Sequence, residues 1–370
     1  MDHGHLSSAQ ARGVFVLAAH RSHLTRFGAI PPVDEAIRAA AYRRLDVLTK
    51  PRGALGQLEP LAAQVCAIQG TLDIQIVHPV GIVFAADHGV ADRGVSAYPR
   101  EVTAQMVANF LHGGAAISVL AKLQGIELWI VDAGVDGDCR THPRLIEAKI
   151  RRGTRNFIDE PAMTSEECAE ALQWGREVVE RVMPGASNAL VLGEMGIGNT
   201  AAAAMLMHGL TGRELIDCVG RGTGLDDAGL QRKRQLLAQA LKRRAAPPDP
   251  LELLAEFGGY EIAMLAGAVL AGAARRALIL VDGFTATVAA ALAARLDPGV
   301  LDYCVFGHCS AEHAHRALLE HLRVHPLLDL GMRLGEGSGA ALALSVVRAA
   351  IALFTEMATF EGAGVTDKDA

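Results

Sequence analysis

The segment NALVLGEMGIGNTAAAAMLM (188–207) carries the pattern that decides the fold. A short apolar run leads into a loop rich in glycine, and a run of alanines typical of a helix follows. Four further apolar runs end in the same way, at Asp, Glu, His or Gly: GIVFAADHG (81–89), ELWIVDAG (127–134), RALILVDGF (276–284) and LDYCVFGHCS (301–310). Strands that alternate with helices pair in parallel. The sequence therefore predicts an α/β protein with a doubly wound, mostly parallel, Rossmann-like sheet flanked by helices.

The polar residues after these runs lie where such a sheet binds ligands, at the carboxyl ends of its strands. In 188–207 the loop glycines let backbone N–H groups converge, and the helix N-terminus adds a positive dipole that favours a phosphate. No Gly-Lys-Ser/Thr and no GxGxxG follows, so a phosphomonoester fits better than a dinucleotide. An ordinary Asn-Thr helix cap explains much of the same pattern.

Composition excludes several classes of protein. The 370 residues carry a net charge of −6, which gives no basic footprint for nucleic acid or an anionic membrane. A hydrophobic content of 51% is too high for a disordered chain. The longest apolar run without charge, Ile262 to Ala274, covers about 13 residues against the ~20 that span a bilayer. We therefore expect no membrane and no nucleic-acid partner.

The cysteines and the N-terminus bear on location. The six cysteines form no CxxC pair and no metal-finger spacing, which favours buried thiols in a reducing cytosol. The N-terminus lacks the basic start, long apolar middle and cleavage site of a signal peptide. The predicted location is cytoplasmic.

Four parts are predicted along the chain. Residues 1–34 form a poorly ordered N-terminal extension, 35–74 contribute helices to a small helical subdomain, 75–330 form the α/β catalytic core, and 331–370 hold a Glu loop and the C-terminal helix. The apolar surface of the helix at 338–358 must be buried in the core or against another subunit.

Two more loops are candidates for binding or catalysis. In GRGTG (220–224), Arg221 is placed to meet an anion, and Lys233 offers a point charge unless it lies on a solvated helix face. In MRLGEGSGAAL (332–342), Glu336 sits among glycines at the start of an apolar helix. It either caps that helix or acts as a base that faces a ligand.

Two other segments carry weaker signals. In AADHGVADRGVSAYPREVTAQMV (85–107), Tyr98 and Met106 can bracket a flat apolar ligand while Gln105 hydrogen-bonds a ring nitrogen, although a packed loop explains them equally well. The histidines of 306–325 match no HExxH pattern, so a metal site is not expected.

Taken together, these loops resemble the nicotinate-nucleotide–dimethylbenzimidazole phosphoribosyltransferase family. The matching segments are LTKPRGALGQLE (48–59), FAADHGVADRGVSAYPREVTAQMVANFLHGGAAI (84–117), LGEMGIGNTAAAAML (192–206), GRGTG (220–224), GGYEIAMLAGAVL (258–270), HCSAEHAHR (308–316) and PLLDLGMRLGEGSGAALAL (326–344). The order and spacing of several unusual loops agree over roughly residues 36–365.

The resemblance implies transfer of a 5-phosphoribosyl group from nicotinate mononucleotide to 5,6-dimethylbenzimidazole, with no cofactor and no metal. It makes Glu336 the general base and Glu194 a second functional carboxylate. By the same resemblance, the substrate-binding residues are Gly196, Gly198, Asn199, Thr200, Arg221, Gly222, Lys233, Ser310, Ala311, Tyr98, Gln105, Met106 and Leu334. The glycine loops and Lys233 are expected to bind the phosphate and ribose, and Ser310 and Ala311 the nicotinate. The benzimidazole is expected to contact Tyr98, Gln105, Met106 and Leu334. The resemblance also implies a homodimer.

Three alternatives stay open from sequence. A related phosphoribosyltransferase could use another base or a phenolic acceptor. A non-catalytic nucleotide-binding protein would not need both glutamates. A metal-dependent hydrolase rests only on the histidines.

Overall fold

A six-stranded parallel sheet forms the centre of the computed structural model, which describes residues 28–366. Its strands are β1 Val80–Ala86, β2 Glu127–Gly134, β3 Leu145–Glu147, β4 Ala189–Met195, β5 Leu278–Val281 and β6 Cys304–Phe306. They lie in the order β3-β2-β1-β4-β5-β6. From β1 the chain adds β2 and β3 on one side of the sheet and then β4, β5 and β6 on the other. The topological switch point therefore lies between β1 and β4, where doubly wound sheets bind ligands.

Helices flank this sheet. In chain order they are α1 Glu35–Asp46, α2 Leu58–Gln69, α3 Val102–Leu111, α4 Ala116–Gln124, α5 Ser165–Val182, α6 Asn199–Thr211, α7 Leu215–Cys218, α8 Asp227–Arg243, α9 Pro250–Phe257, α10 Tyr260–Ala274, α11 Phe284–Leu296, α12 His315–Leu322, α13 Ser338–Glu356 and α14 Phe360–Ala363. Short 3₁₀ helices span Gly89–Arg93 and Pro298–Tyr303. The predicted α/β class and parallel pairing are confirmed.

Small residues explain how the layers pack so closely. All seven residues of β1 are buried, as expected for a strand that helices cover on both faces. Where α5 crosses α10, a Cβ at Gly175 would lie 2.0 Å from the Met264 carbonyl oxygen. A Cβ at Gly267 would lie 2.1 Å from the Leu172 carbonyl oxygen. Glycine at these two positions therefore lets the two helix backbones approach closely.

The two ends of the chain pack together. The Arg44 guanidinium donates to the carbonyls of Phe354 (3.0 Å) and Thr355 (3.2 Å), so α1 is tied to the end of α13. The Thr49 N–H donates to the Ala358 carbonyl at 3.0 Å. These contacts agree with helices from both ends meeting, and the division into four parts stays a prediction.

The predicted N-terminal extension falls mostly on residues 1–27, which lie outside the described residues. Its last residues pack on the core, because Val33 is buried and the Tyr303 hydroxyl donates to the Pro31 carbonyl at 2.7 Å.

Strand β3 was not expected. It has three residues and pairs with β2, and it is too short for an apolar run to mark it.

Within residues 28–366, two helical segments, Val102–Gln124 and Ser338–Glu356, are long and apolar enough to cross a membrane by length and composition alone. The second packs against α2, β4 and β5 as a core helix does. That no membrane is involved stays a prediction.

Candidate active site

The candidate site lies at the carboxyl edge of the sheet, where parallel strands bring their ends together. β4 ends in Glu194 and Met195, β5 is followed by Asp282, and β6 leads to His308 and Ser310. The loop before α13, with Glu336, reaches the same edge. Several segments distant in sequence therefore meet over β1, β4, β5 and β6.

The two glutamate loops touch directly. The Glu336 N–H donates to the Glu194 carbonyl oxygen at 3.2 Å. A Cβ on Gly193 would lie 2.1 Å from the Glu336 carbonyl oxygen, so only glycine permits this approach. On the other side, a Cβ on Gly335 would lie 2.8 Å from Glu194 Oε1. Both carboxylates that the sequence singled out thus belong to one site.

Glu336 is held in an unusual conformation. Its φ of 66° places a non-glycine residue in the left-handed region, which costs about 1–3 kcal/mol and is common at functional sites. Its side chain is buried, and Oε2 accepts from the Ile117 N–H at 3.3 Å. The start of α4 therefore fixes the carboxylate in place.

Asp282 holds the loop that carries Glu336. Its buried carboxylate accepts the N–H groups of Gly337 (3.0 Å), Gly339 (2.7 Å) and Ala340 (3.0 Å), which open α13. His308 Nε2 lies 3.5 Å from its Oδ1. The sequence showed Asp282 only as an apolar run ending in Asp, so its role as the cap of a distant helix was missed.

Burial and mutual repulsion change the acidity of both glutamates. Burial, with the nearby Asp282, Glu261 and Glu336 carboxylates, raises the pKa of Glu194 to about 8, although Asn199 Nδ2 donates to its Oε2. Burial also raises the pKa of Glu336, with Asp282 adding to the rise and the Ile117 N–H opposing it. Glu194 is therefore mostly neutral at pH 7, and Glu336 is a stronger base than a free glutamate.

Residues 196–200, which the sequence predicts to bind the nucleotide phosphate and which we call the nucleotide loop, lie next to these carboxylates. The loop opens α6 through Gly198, whose φ of 98° requires glycine. Gly196 packs against β1, where a Cβ would lie 2.4 Å from the Ala86 carbonyl oxygen. A small cleft beside the loop is lined by Val95, Ser96, Gly196, Ile197, Gly198, Asn199, Thr200, Arg221, Gly222 and Thr223.

Lys233 is not on a solvated helix face. Its side chain is fully buried, and Nζ donates to Thr200 Oγ1 (2.9 Å) and to the Gly220 carbonyl (3.2 Å). Burial lowers the pKa of Lys233 to about 8, partly opposed by Glu312. One cation thus connects the nucleotide loop with the 220–224 loop. Arg221 instead pairs with Asp227 and donates to the Leu225 carbonyl.

Glu312 is a site residue that the sequence did not single out. Its buried carboxylate accepts the Gly222 N–H at 3.2 Å, and a Cβ on Gly220 would clash with Oε1 at 1.8 Å. The signal was available only as the Glu of HCSAEHAHR, among histidines that drew attention to metal binding.

Ser310 is placed by His315. The Ser310 N–H donates to His315 Nδ1 at 2.8 Å, so Nε2 carries the proton and donates to Thr287 Oγ1 at 2.9 Å. Burial lowers the pKa of His315 to about 3, which keeps the ring neutral. Ser310 Oγ accepts the Glu312 N–H at 3.2 Å, and the Ala311 N–H donates to the Met332 carbonyl. Ser310 is buried, whereas Ala311 is exposed.

The four residues expected around an acceptor base are open to solvent to different degrees. Tyr98 and Leu334 are 52% exposed, Gln105 is exposed and Met106 is half-buried. Gln105 and Met106 lie on α3, and Leu334 lies just before the Glu336 loop. The described chain by itself does not enclose these side chains.

No group of three or more His, Cys, Asp or Glu side chains is arranged to hold a metal within residues 28–366. His308 and His315 lie in the site as a ring pair with centroids 6.2 Å apart, whereas His313, His321 and His325 are exposed.

Known proteins resemble this chain over nearly its whole length. A family model described as "Phosphoribosyltransferase" matches residues 30–365. A nicotinate-nucleotide–dimethylbenzimidazole phosphoribosyltransferase of Cupriavidus taiwanensis is 58% identical over 341 residues, which cover 92% of this chain and 99% of the relative. One of the same name from Dechloromonas aromatica is 52% identical, over 91% of this chain and 97% of the relative.

A solved structure has the same fold. The crystal structure named for this enzyme from Thermus thermophilus matches with a TM-score of 0.86 and 45% identity. The match covers 90% of this chain and 99% of that one.

Proposed function

The chain belongs to the nicotinate-nucleotide–dimethylbenzimidazole phosphoribosyltransferase family, and from this we propose that it transfers the 5-phosphoribosyl group of nicotinate mononucleotide to 5,6-dimethylbenzimidazole. The products are α-ribazole 5′-phosphate and nicotinate. The observation that carries the proposal is the contact between the Glu194 and Glu336 loops, directly beside a nucleotide loop with a buried lysine.

The reaction needs one base and no leaving-group acid. The bond from the ribose anomeric carbon to the cationic nicotinate nitrogen breaks, and nicotinate leaves with the electron pair. One ring nitrogen of dimethylbenzimidazole bonds to that carbon, and the proton on the other nitrogen must be removed. A positioned carboxylate performs such a transfer.

We assign this base to Glu336. Its raised pKa strengthens it as a proton acceptor, and the Ile117 N–H, Asp282 and the close Gly193 contact fix its position. Glu194, mostly neutral at pH 7, adds little repulsion beside the Glu336 carboxylate. Its role is to position substrate or to assist proton removal, and in its neutral form it leaves Glu336 as the proton acceptor.

We assign the phosphate and ribose to Gly196, Gly198, Asn199, Thr200, Gly222 and Lys233, because glycine N–H groups, the α6 N-terminus and one buried cation converge there. Arg221 stands at the rim of the same cleft. Ser310 and Ala311 are assigned to the nicotinate end, and Tyr98, Gln105, Met106 and Leu334 to the benzimidazole.

We further propose a cytoplasmic homodimer. The six cysteines are free thiols, which suits a reducing compartment. On α4, Val119 is 58% and Leu123 73% exposed, and both suit a subunit contact. Light scattering after size exclusion should give about twice the 39.0 kDa chain mass, and a 39.0 kDa species would refute the dimer.

The test is to incubate purified protein with nicotinate mononucleotide and dimethylbenzimidazole and to quantify products by chromatography. Equal amounts of α-ribazole 5′-phosphate and nicotinate are expected, unchanged by EDTA. Adenine and phenolic acceptors are run in parallel. Faster turnover with one of these would show that the enzyme uses a different acceptor. Nucleotide binding without any product would show that the chain is a nucleotide-binding protein and not a transferase.

A further inference from the structure

One buried hydrogen bond connects α3, the helix that carries Gln105 and Met106, with the nucleotide loop. The Thr103 hydroxyl, on α3, accepts the N–H of Ile197 at 3.1 Å across 94 residues of sequence. Thr103 is fully buried, and Ile197 lies between Gly196 and Gly198. Neither residue belongs to the substrate contacts assigned above.

The helix end of this bond is firmly placed. Arg100, one turn before Thr103, pairs with Asp92 (2.9 Å) and Asp136 (3.0 Å). The Asp136 N–H donates to Asp87 Oδ2 at 2.8 Å, so the ends of β1 and β2 are joined to the start of α3. Burial raises the pKa of the nearby Asp87 carboxyl, and the Thr103 hydroxyl is among the groups that oppose this rise.

The other end of the bond lies in the nucleotide loop, which is held between β1 and α3. On one side the loop rests on β1, since a Cβ on Gly196 would contact the Ala86 carbonyl oxygen. On the side of α3, the Thr103 bond supplies the link to Ile197. Gln105 and Met106 follow Thr103 by two and three residues on the same helix.

We infer that Thr103 is a positioning residue for phosphoribosyl transfer. Its hydrogen bond keeps α3 and the nucleotide loop at a fixed separation. This inference rests on the proposed function. Attack at the anomeric carbon needs both substrates aligned, and a shift of about 1 Å in one partner can cost about 10²-fold in rate. The hydroxyl therefore affects the reacting geometry more than the affinity for either substrate.

The test compares Thr103→Val, which keeps shape and removes the acceptor, with Thr103→Ser, which keeps the acceptor. We expect kcat to fall about 10-fold or more in Thr103→Val, while each KM changes by less than about three-fold. Thr103→Ser should restore kcat to within about two-fold of the original chain. Thr103→Ala, judged by the same criteria, replaces the valine variant if the latter does not fold.

Thr355→Val is the matched control, because the Thr355 hydroxyl donates to the Ile351 carbonyl of its own helix at 2.9 Å. It should leave kcat unchanged. An unchanged kcat in Thr103→Val, or an equal loss in Thr103→Ser, would overturn the positioning role. Equal changes in KM and kcat together with a matching loss of thermal stability would also overturn it. An unmutated chain that forms no product would refute the proposed function itself, and this inference with it.

Discussion

The two glycine-rich loops that open α6 and α13 look alike in sequence and differ in how their helix ends are used. Both contain a glutamate near glycines and lead into an apolar helix. The α6 N-terminus begins at Gly198 without a side-chain cap, beside the buried ammonium of Lys233. The α13 N-terminus is already occupied, because Asp282 accepts three of its N–H groups.

Under the proposed function, this difference separates the loop that binds phosphate from the loop that carries the base. An uncapped helix end and a cation favour an incoming phosphate. A helix end that a built-in carboxylate has neutralised favours no second anion, and its loop is instead fixed rigidly enough to hold Glu336 with a φ of 66°. Under the proposed function, two similar sequences thus perform unlike tasks because a third segment, at the end of β5, reaches only one of them.

The largest expected effect is on the catalytic loop. Glu336→Gln keeps the shape of the side chain and its contact with Ile117 but removes the proposed base. Turnover should fall about 10²-fold or more, while the dissociation constant for nicotinate mononucleotide changes less than about three-fold. Steady-state kinetics and calorimetric titration measure the two quantities.

Glu320→Gln, on the exposed face of α12, is the control for loss of one negative charge. It should have the turnover of the original chain. If Glu336→Gln also keeps that turnover, Glu336 is not the base. The catalytic role proposed for the loop before α13 would then be wrong.

The second effect falls on the binding loop. Lys233→Ala removes the buried ammonium beside Thr200 and Gly220, and nucleotide affinity should weaken by about 10-fold to 10²-fold with a smaller change in kcat. Lys242→Ala, an exposed position on the same helix, should change neither quantity.

The acidity of Lys233 sharpens the same test. Its pKa of about 8 means that the side chain loses its charge above that pH, so nucleotide binding should weaken there in the original chain and not in Lys233→Ala. Equal affinity of both proteins at pH 7 would remove Lys233 from the phosphate site.

The third effect tests the cap itself. Asp282→Asn replaces a charged acceptor of three N–H groups by an amide, and we expect a loss of about 1–3 kcal/mol in the free energy of unfolding. Turnover should fall about 10-fold because Glu336 is no longer fixed. Asp302→Asn, exposed at the other end of β6, is the control. Unfolding in urea and kinetics on the folded protein give both values. Normal turnover in Asp282→Asn would show that the cap on α13 has no effect on catalysis.

The sequence predicted the sheet well because parallel strands leave long apolar runs. Runs at 81–89, 127–134 and 188–196 contain β1, β2 and β4 nearly whole. Their polar ends also predicted which edge carries the site. β3 was missed because three residues give too little periodicity to detect.

Side-chain partners could not be predicted in the same way. Lys233 stands in QRKR, a pattern typical of a solvated face, and its burial depends on the 220–224 loop folding over it. Asp282 and Glu312 serve segments far along the chain, so no local spacing reveals them. Glu336 was singled out by its position among glycines and Glu194 by the family resemblance. Their assigned roles, like those of Tyr98, Gln105, Met106 and Leu334, stay predictions.

The smallest effect concerns the second glutamate and its pH dependence. Glu194 has a pKa of about 8, above its usual 4.5, because burial and the nearby carboxylates disfavour its charge. The stability that its neutral form contributes is complete below pH 4.5 and is lost as pH rises through about 8. Ionisation there removes the proton with which the neutral Glu194 carboxyl can hold substrate by a hydrogen bond. At saturating nucleotide, kcat should therefore fall about three-fold or more between pH 7 and 9, and Glu194→Gln, which cannot ionise, should lack this decline. Saturation separates the effect from Lys233, whose titration alters affinity. A decline that persists unchanged in Glu194→Gln would assign the alkaline limb to another group and leave the neutral Glu194 carboxyl without a part in positioning substrate.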